Sequence, residues 1–154
     1  MISKNFKNIL LTGASGNSAY FFLKKLEKEK FKEVITVLTR SRSKNSYFKK
    51  FNLKFKILNG NINNKKFLLK SLNKIDTVLH TANIENSEKI IEAGNKKKVK
   101  WFILVHSTMV FSKNSSPRIK NRIRIEKEIL KKNSNITILS PTMIYGTSRD
   151  INMS

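Results

Sequence analysis

The 154-residue sequence has no cysteine, only two histidines, and ten acidic residues against 32 lysines and arginines. Without cysteine there is no disulfide, no thiolate nucleophile and no cysteine-ligated metal, a usage that fits the cytoplasm. The histidines, His80 and His106, end different predicted strands, and no carboxylate stands beside either at metal-ligand spacing. Metal binding is therefore not expected. No apolar run approaches the roughly 20 residues that cross a bilayer. The apolar stretch near the N-terminus is too short for a signal peptide and runs directly into a glycine turn. Long polar tracts are also missing, and 39% of the residues are hydrophobic. That composition and length suit one domain, residues 1–154, with a sizeable core.

The shortage of acid leaves a net charge of +22 and an isoelectric point near 10.4. Such a balance raises the question of nucleic acid. The excess is lysine rather than arginine, and it accompanies abundant asparagine and isoleucine. These three share A/T-rich codons, so base composition alone produces the balance. Lys96-Lys97-Lys98 with Lys100 is the one dense run, and no aromatics alternate with it as a stacking platform requires. Salt-sensitive, nonspecific adhesion is expected, and specific nucleic-acid binding is not.

What the sequence does contain is organised around Ile9-Leu10-Leu11-Thr12-Gly13-Ala14-Ser15-Gly16-Asn17-Ser18-Ala19. A short apolar run stops at a glycine, a second glycine follows three residues later, and an amphipathic segment begins. This reads as a buried strand, a tight turn and a helix. Gly13 sits where the chain reverses, at a φ that a Cβ would penalise. Gly16 sits where a side chain would hold a pyrophosphate away from the backbone. The helix starting near Asn17 turns unpaired N–H groups and its positive dipole end toward that anion. Ala19 replaces a third glycine at the helix–strand contact. The alternative is that both glycines serve the turn alone.

After a first helix over about 17–30, the β-branched run 34–40 has the unbroken hydrophobicity of a strand covered on both faces. A short helix over 45–52, a strand over 54–58 ending at Asn59-Gly60, and a lysine-rich helix over 64–72 follow. Strands are then expected at 76–80, 101–105 and 136–139, with helices at 85–98 and 118–132. The last of these helices carries Ile119, Ile123, Ile129 and Leu130 on one stripe, with Arg122 and Glu126 on its other faces. Strands alternating with helices predict an α/β domain: a doubly wound parallel sheet of the Rossmann type, order 3-2-1-4-5-6, with helices on both faces.

In such a sheet, ligands lie across the carboxyl ends of the strands. The residues that would contact a dinucleotide there are Thr12, Gly13, Ser15, Gly16, Asn17, Arg40, Arg42, Asn61, Ile62, Thr81 and Ala82. Where a carboxylate after strand two would accept ribose hydroxyls, this sequence has Thr39 and Arg40, with Arg42 close behind. One charge-assisted contact to a 2′-phosphate is worth about 1.5–3 kcal/mol, about a ten- to hundredfold preference for NADP over NAD. The alternative is an exposed arginine on a basic surface.

Thr12-Gly13-Ala14-Ser15-Gly16, Asn59-Gly60-Asn61-Ile62, Asp76-Thr77-Val78-Leu79-His80-Thr81-Ala82-Asn83, the stretch Phe102 to Phe111, and Ser140-Pro141-Thr142-Met143-Ile144-Tyr145-Gly146 resemble successive landmarks of the short-chain dehydrogenase/reductase superfamily. The resemblance is nearest to its extended and atypical branches, the NAD-dependent epimerase/dehydratase and NmrA-like proteins. It implies NAD(P) as cofactor, a small-molecule substrate, and Ser107 as the residue that polarises a substrate carbonyl or hydroxyl, though the same serine can cap the strand end. The family's Tyr-x-x-x-Lys is absent between 112 and 126, since the tyrosines are Tyr20, Tyr47 and Tyr145. Lys120 is the residue left to neighbour the nicotinamide ribose. Asn61 stands where relatives place an aspartate against adenine, and Ser140 where many place an arginine. Extended relatives continue past strand six with a lobe that covers the substrate. The resemblance thus implies a truncated or split member that leaves apolar surface for a partner chain to complete. Three readings follow: an NADP-dependent oxidoreductase or epimerase, a non-catalytic dinucleotide sensor, and a basic nucleic-acid-associated domain.

Overall fold

The computed structural model describes residues 7–113, 116–132 and 135–142. Ser115, Met143, Ile144, Tyr145, Gly146 and Thr147 lie outside the described residues. Six strands, β1 (Ile9–Thr12), β2 (Ile35–Thr39), β3 (Phe55–Asn59), β4 (Thr77–His80), β5 (Trp101–Val105) and β6 (Ile136–Leu139), form one sheet in the order β3-β2-β1-β4-β5-β6. Every pairing is parallel. The register sets Thr12 opposite Leu38 on one side and His80 on the other, so the ends of the three central strands are level.

Helices α1 (Asn17–Lys28), α2 (Lys65–Ser71), α3 (Ser87–Lys96) and α4 (Pro117–Lys132) connect the strands, with 3-10 turns at Arg42–Lys50, Ile84–Asn86 and Thr108–Phe111. Because alternate strand residues point to opposite faces, Leu10, Val78, Phe102 and Leu104 meet the buried residues of α2, α3 and α4. Leu11, Val37 and Leu79 meet α1 and the 42–50 turn on the other face. Ala19 is fully buried there. On α3, a Cβ at Gly94 would come within 2.5 Å of the Phe102 ring, so only glycine lets that helix settle onto β5.

Two details differ from the sequence reading. The helices end earlier than expected, at Lys28 and Lys96 rather than 30 and 98. The ends are closed by Lys30 and Lys98 in the left-handed region, at φ 53° and 57°. Phe31 N–H bonds the Leu26 carbonyl and Val99 N–H the Gly94 carbonyl, the wrap usually left to a glycine. The inward stripe of α4 is also rotated. Ile119, Arg122, Ile125 and Ile129 are buried, while Leu130 is 61% exposed. Of the two charged residues on this face, Glu126 meets the buried His106 at 2.6 Å, and Arg122 reaches Met109.

Candidate functional site

At the carboxyl end of the sheet, the loop after β1 faces a cleft of about 760 Å³. Gly13 takes φ +69°, and a Cβ there would lie 2.7 Å from the Ala82 nitrogen and 2.8 Å from Thr81 Oγ1. The glycine is thus required twice, by its backbone angle and by the β4 end pressing against it. Thr81 fixes that contact by donating from its hydroxyl to the Thr12 carbonyl at 2.8 Å. Gly16 is the residue before α1, in extended conformation, and no side chain caps the helix. A Cβ at Gly16 would meet only the Gly13 carbonyl, at 3.1 Å. The first N–H groups of a 12-residue helix therefore open beside the cleft.

Of the residues expected to hold a dinucleotide, Thr12, Gly13, Ser15, Gly16, Arg40, Asn61, Ile62, Thr81 and Ala82 line this cleft. Asn17 and Arg42 are not among its lining residues: Asn17 begins α1 and Arg42 begins the 42–50 turn. Arg40 is the one charged side chain among the described residues on the wall, and none there is acidic. Its strand end is held by Asn59, whose side chain donates to Thr39 Oγ1 and pairs with Asn45. Asn61 lines the cleft, with its own Oδ1 accepting Asn63 N–H at 2.9 Å.

The expected catalytic pair is not brought together in this way. Ser107 sits at the β5 end and caps the following turn, its Oγ accepting Met109 N–H at 3.3 Å. Lys120 is exposed on α4. The basic residue of α4 that approaches this turn is Arg122, whose Nη1 lies 3.5 Å from Met109 Sδ. Tyr20 packs tilted and Tyr47 edge-on against Phe51 on the α1 side of the sheet, and neither lines the cleft.

Sequence reading missed two buried histidine clusters. His80 Nδ1 lies 2.6 Å from Thr12 Oγ1, and its Nε2 lies 3.1 Å from the Asn83 carbonyl oxygen. Burial pushes its pKa down from 6.5 to about 4. His106 Nδ1 lies 2.6 Å from Glu126 Oε1, and Nε2 is 3.0 Å from Ser87 Oγ. Burial pushes this imidazole down as well, against the pull of Glu126 and with the help of nearby Arg122. The available signal was the spacing Ile119, Arg122, Glu126, Ile129, which puts two charges on an otherwise apolar helix face. Among the described residues, no cluster of three or more His, Asp or Glu side chains could hold a metal. No described helix is long and apolar enough to cross a membrane.

No protein-family model and no curated protein sequence matches this chain. Solved structures do match its fold. A short-chain dehydrogenase/reductase from Veillonella parvula superposes with a TM-score of 0.76 at 18% identity, over 93% of this chain and 72% of that one. A Rossmann-fold NAD(P)-binding family protein from Shigella flexneri gives 0.73 at 23% identity, over 88% and 67%. An NADPH-dependent quinone oxidoreductase from Escherichia coli gives 0.69 at 16%, over 86% and 46%. The chain thus spans about half to seven-tenths of the length of these structures. Its fold is that of the Rossmann-type NAD(P)-binding and short-chain dehydrogenase/reductase proteins.

Proposed function

We propose that this chain is a dinucleotide-binding domain that prefers NADP(H) to NAD(H). One observation carries the reading: the glycine loop, pinned open by Gly13 against Ala82, presents an uncapped helix start to a cleft on whose wall Arg40 is the one charged side chain among the described residues. The loop amides would take the diphosphate, Arg40 the 2′-phosphate, and Asn61 and Ile62 the adenine end. The residues fit the group, because Gly16 carries no side chain where a pyrophosphate would approach the backbone and, among the described residues, none caps the helix start. When bound, the nicotinamide supplies hydride chemistry, while Ser107 offers a hydroxyl proton at the β5 end.

Neither described tyrosine reaches the cleft and Lys120 faces solvent, which favours binding without tyrosine-driven turnover, as in a dinucleotide sensor. Reduction or epimerisation assisted by Ser107 is the second reading, supported by the strand-end position of that hydroxyl. On the α1 side of the sheet, β5 and β6 leave Leu139 49% exposed beside the half-buried Trp101, Ile103 and Val105. We assign this strip to a partner chain that completes the substrate side.

Calorimetric titration tests the cofactor assignment. NADP+ should bind about ten- to a hundredfold more tightly than NAD+, and Arg40→Ala should erase the difference while leaving NAD+ affinity unchanged. Equal affinities in the parent protein refute the preference, and no binding of either by folded protein refutes the whole reading.

A further inference from the structure

One wall of the cleft is the segment 83–87, a 3-10 turn running into α3. Asn83 and Asn86 face the cavity, and Ser87 behind them is fully buried. Two imidazoles hold this wall from the sheet side, and for a neutral ring the hydrogen bonds of each admit one tautomer. The Asn83 carbonyl can only accept, so His80 Nε2 carries the proton that bonds it at 3.1 Å. His80 Nδ1 is then a lone pair, and Thr12 Oγ1 donates to it at 2.6 Å. At His106 the assignment reverses. The Glu126 carboxylate accepts from Nδ1–H at 2.6 Å, and Nε2 accepts from the Ser87 hydroxyl at 3.0 Å. Ser87, His106 and Glu126 have the connectivity of an acyl-transfer relay, but Ser87 has no accessible surface. No substrate reaches it, so the connection is a brace.

We propose that His80 and His106 are positioning residues of the cleft: two neutral imidazoles in opposite tautomers that tie the 83–87 wall to Thr12 at the glycine loop and to α4 behind Ser107. The purpose of the brace rests on the nucleotide-binding reading, whereas its geometry does not. Each ring joins a donor at one end to an acceptor at the other, across two elements distant in sequence. An amide side chain can replace only half of that, asparagine standing in for Nδ1 and glutamine for Nε2. The charged and titratable groups facing the pair are Glu126 and Arg122 from α4 and each imidazole toward the other. Protonation turns the accepting nitrogen of either ring into a donor, so the Thr12 or Ser87 hydroxyl must turn round to accept and the direction of the bond reverses.

Long-range proton–nitrogen correlation spectra of the full chain at neutral pH test the assignment directly. His80 should carry its proton on Nε2 and His106 on Nδ1. His80→Gln, which keeps the Asn83 bond and loses Thr12, and His106→Asn, which keeps Glu126 and loses Ser87, should each speed amide exchange across 83–87 by about tenfold. Both should also weaken NADP+ binding severalfold. If the parent protein binds no nucleotide, the functional reading fails while the exchange data still judge the brace. Tautomers that are averaged or the reverse of these overturn the proposal, as does unchanged exchange in folded variants. Should a variant fail to fold, the tautomers of the parent protein decide alone.

Discussion

Strands β1 and β2 are buried along their whole length, under α1 and the 42–50 turn on one face and α2 and α3 on the other. In β5, burial alternates instead: Phe102 and Leu104 are fully buried, while Trp101, Ile103 and Val105 are only partly buried. Yet Trp101-Phe102-Ile103-Leu104-Val105 is as apolar as any strand in the sheet. A strand with one face in water reads as alternating apolar and polar. The β5 sequence is thus written for cover on both faces, and the described residues supply one in full and the other in part, where Ile103 and Val105 pack against the α1-side core. Among the described residues, the half of the sheet that carries the glycine loop is buried on both sides, and the half that carries Ser107 is fully buried on one side and partly on the other.

The sharpest way to break this comparison is to cut the same strand on its two faces. Phe102→Ala removes a fully buried ring packed against Gly94 and should cost about 3–5 kcal/mol. Ile103→Ala, one residue on and partly buried, should cost less, about 1 kcal/mol. Chemical denaturation of both variants measures the contrast. Equal losses would mean that the second face is already covered in solution.

Acid probes the seam between the halves, where His80 ends β4. Its imidazole is neutral in the fold down to about pH 4, whereas the unfolded chain binds a proton near 6.5. Between those values the unfolded state holds more protons, so stability is full above pH 6.5 and declines as pH falls toward 4. The two pKa values correspond to about 3 kcal/mol from His80, and the lowered His106 acts in the same direction. Denaturation midpoints measured across this range should fall. A flat profile would place the histidines in water.

Smaller effects come from the helix ends. Lys98→Gly relieves a left-handed lysine at φ 57° and should raise stability by up to about 1 kcal/mol in thermal melts. On the bare strip, Leu139→Lys should change stability by less than about 0.5 kcal/mol, because that side chain is 49% exposed.

These particulars show what was legible. The strand order followed from alternation and crossover handedness, because each strand is an apolar run bounded by turn residues. Gly13 was legible because a positive φ demands glycine, and the crowding from Ala82 only adds to that demand. The helix ends were not legible, since lysines occupy the left-handed positions where glycine would have marked a stop. Nor were the histidine braces, three of whose four partners lie 68, 20 and 19 residues away in sequence. The family resemblance points to Lys120 on α4, a residue that is exposed. The helix phase instead turns Arg122 inward, toward Met109.

The grip of the loop after β1 on a diphosphate is tested most directly by nitrogen-15 spectra of the chain during titration with NADP+. Saturable shifts should concentrate at the amides of Gly13 to Asn17, with smaller ones at Arg40 and Asn61. Shifts scattered over the lysine-rich surface and abolished by salt, or none at all in folded protein, would contradict it.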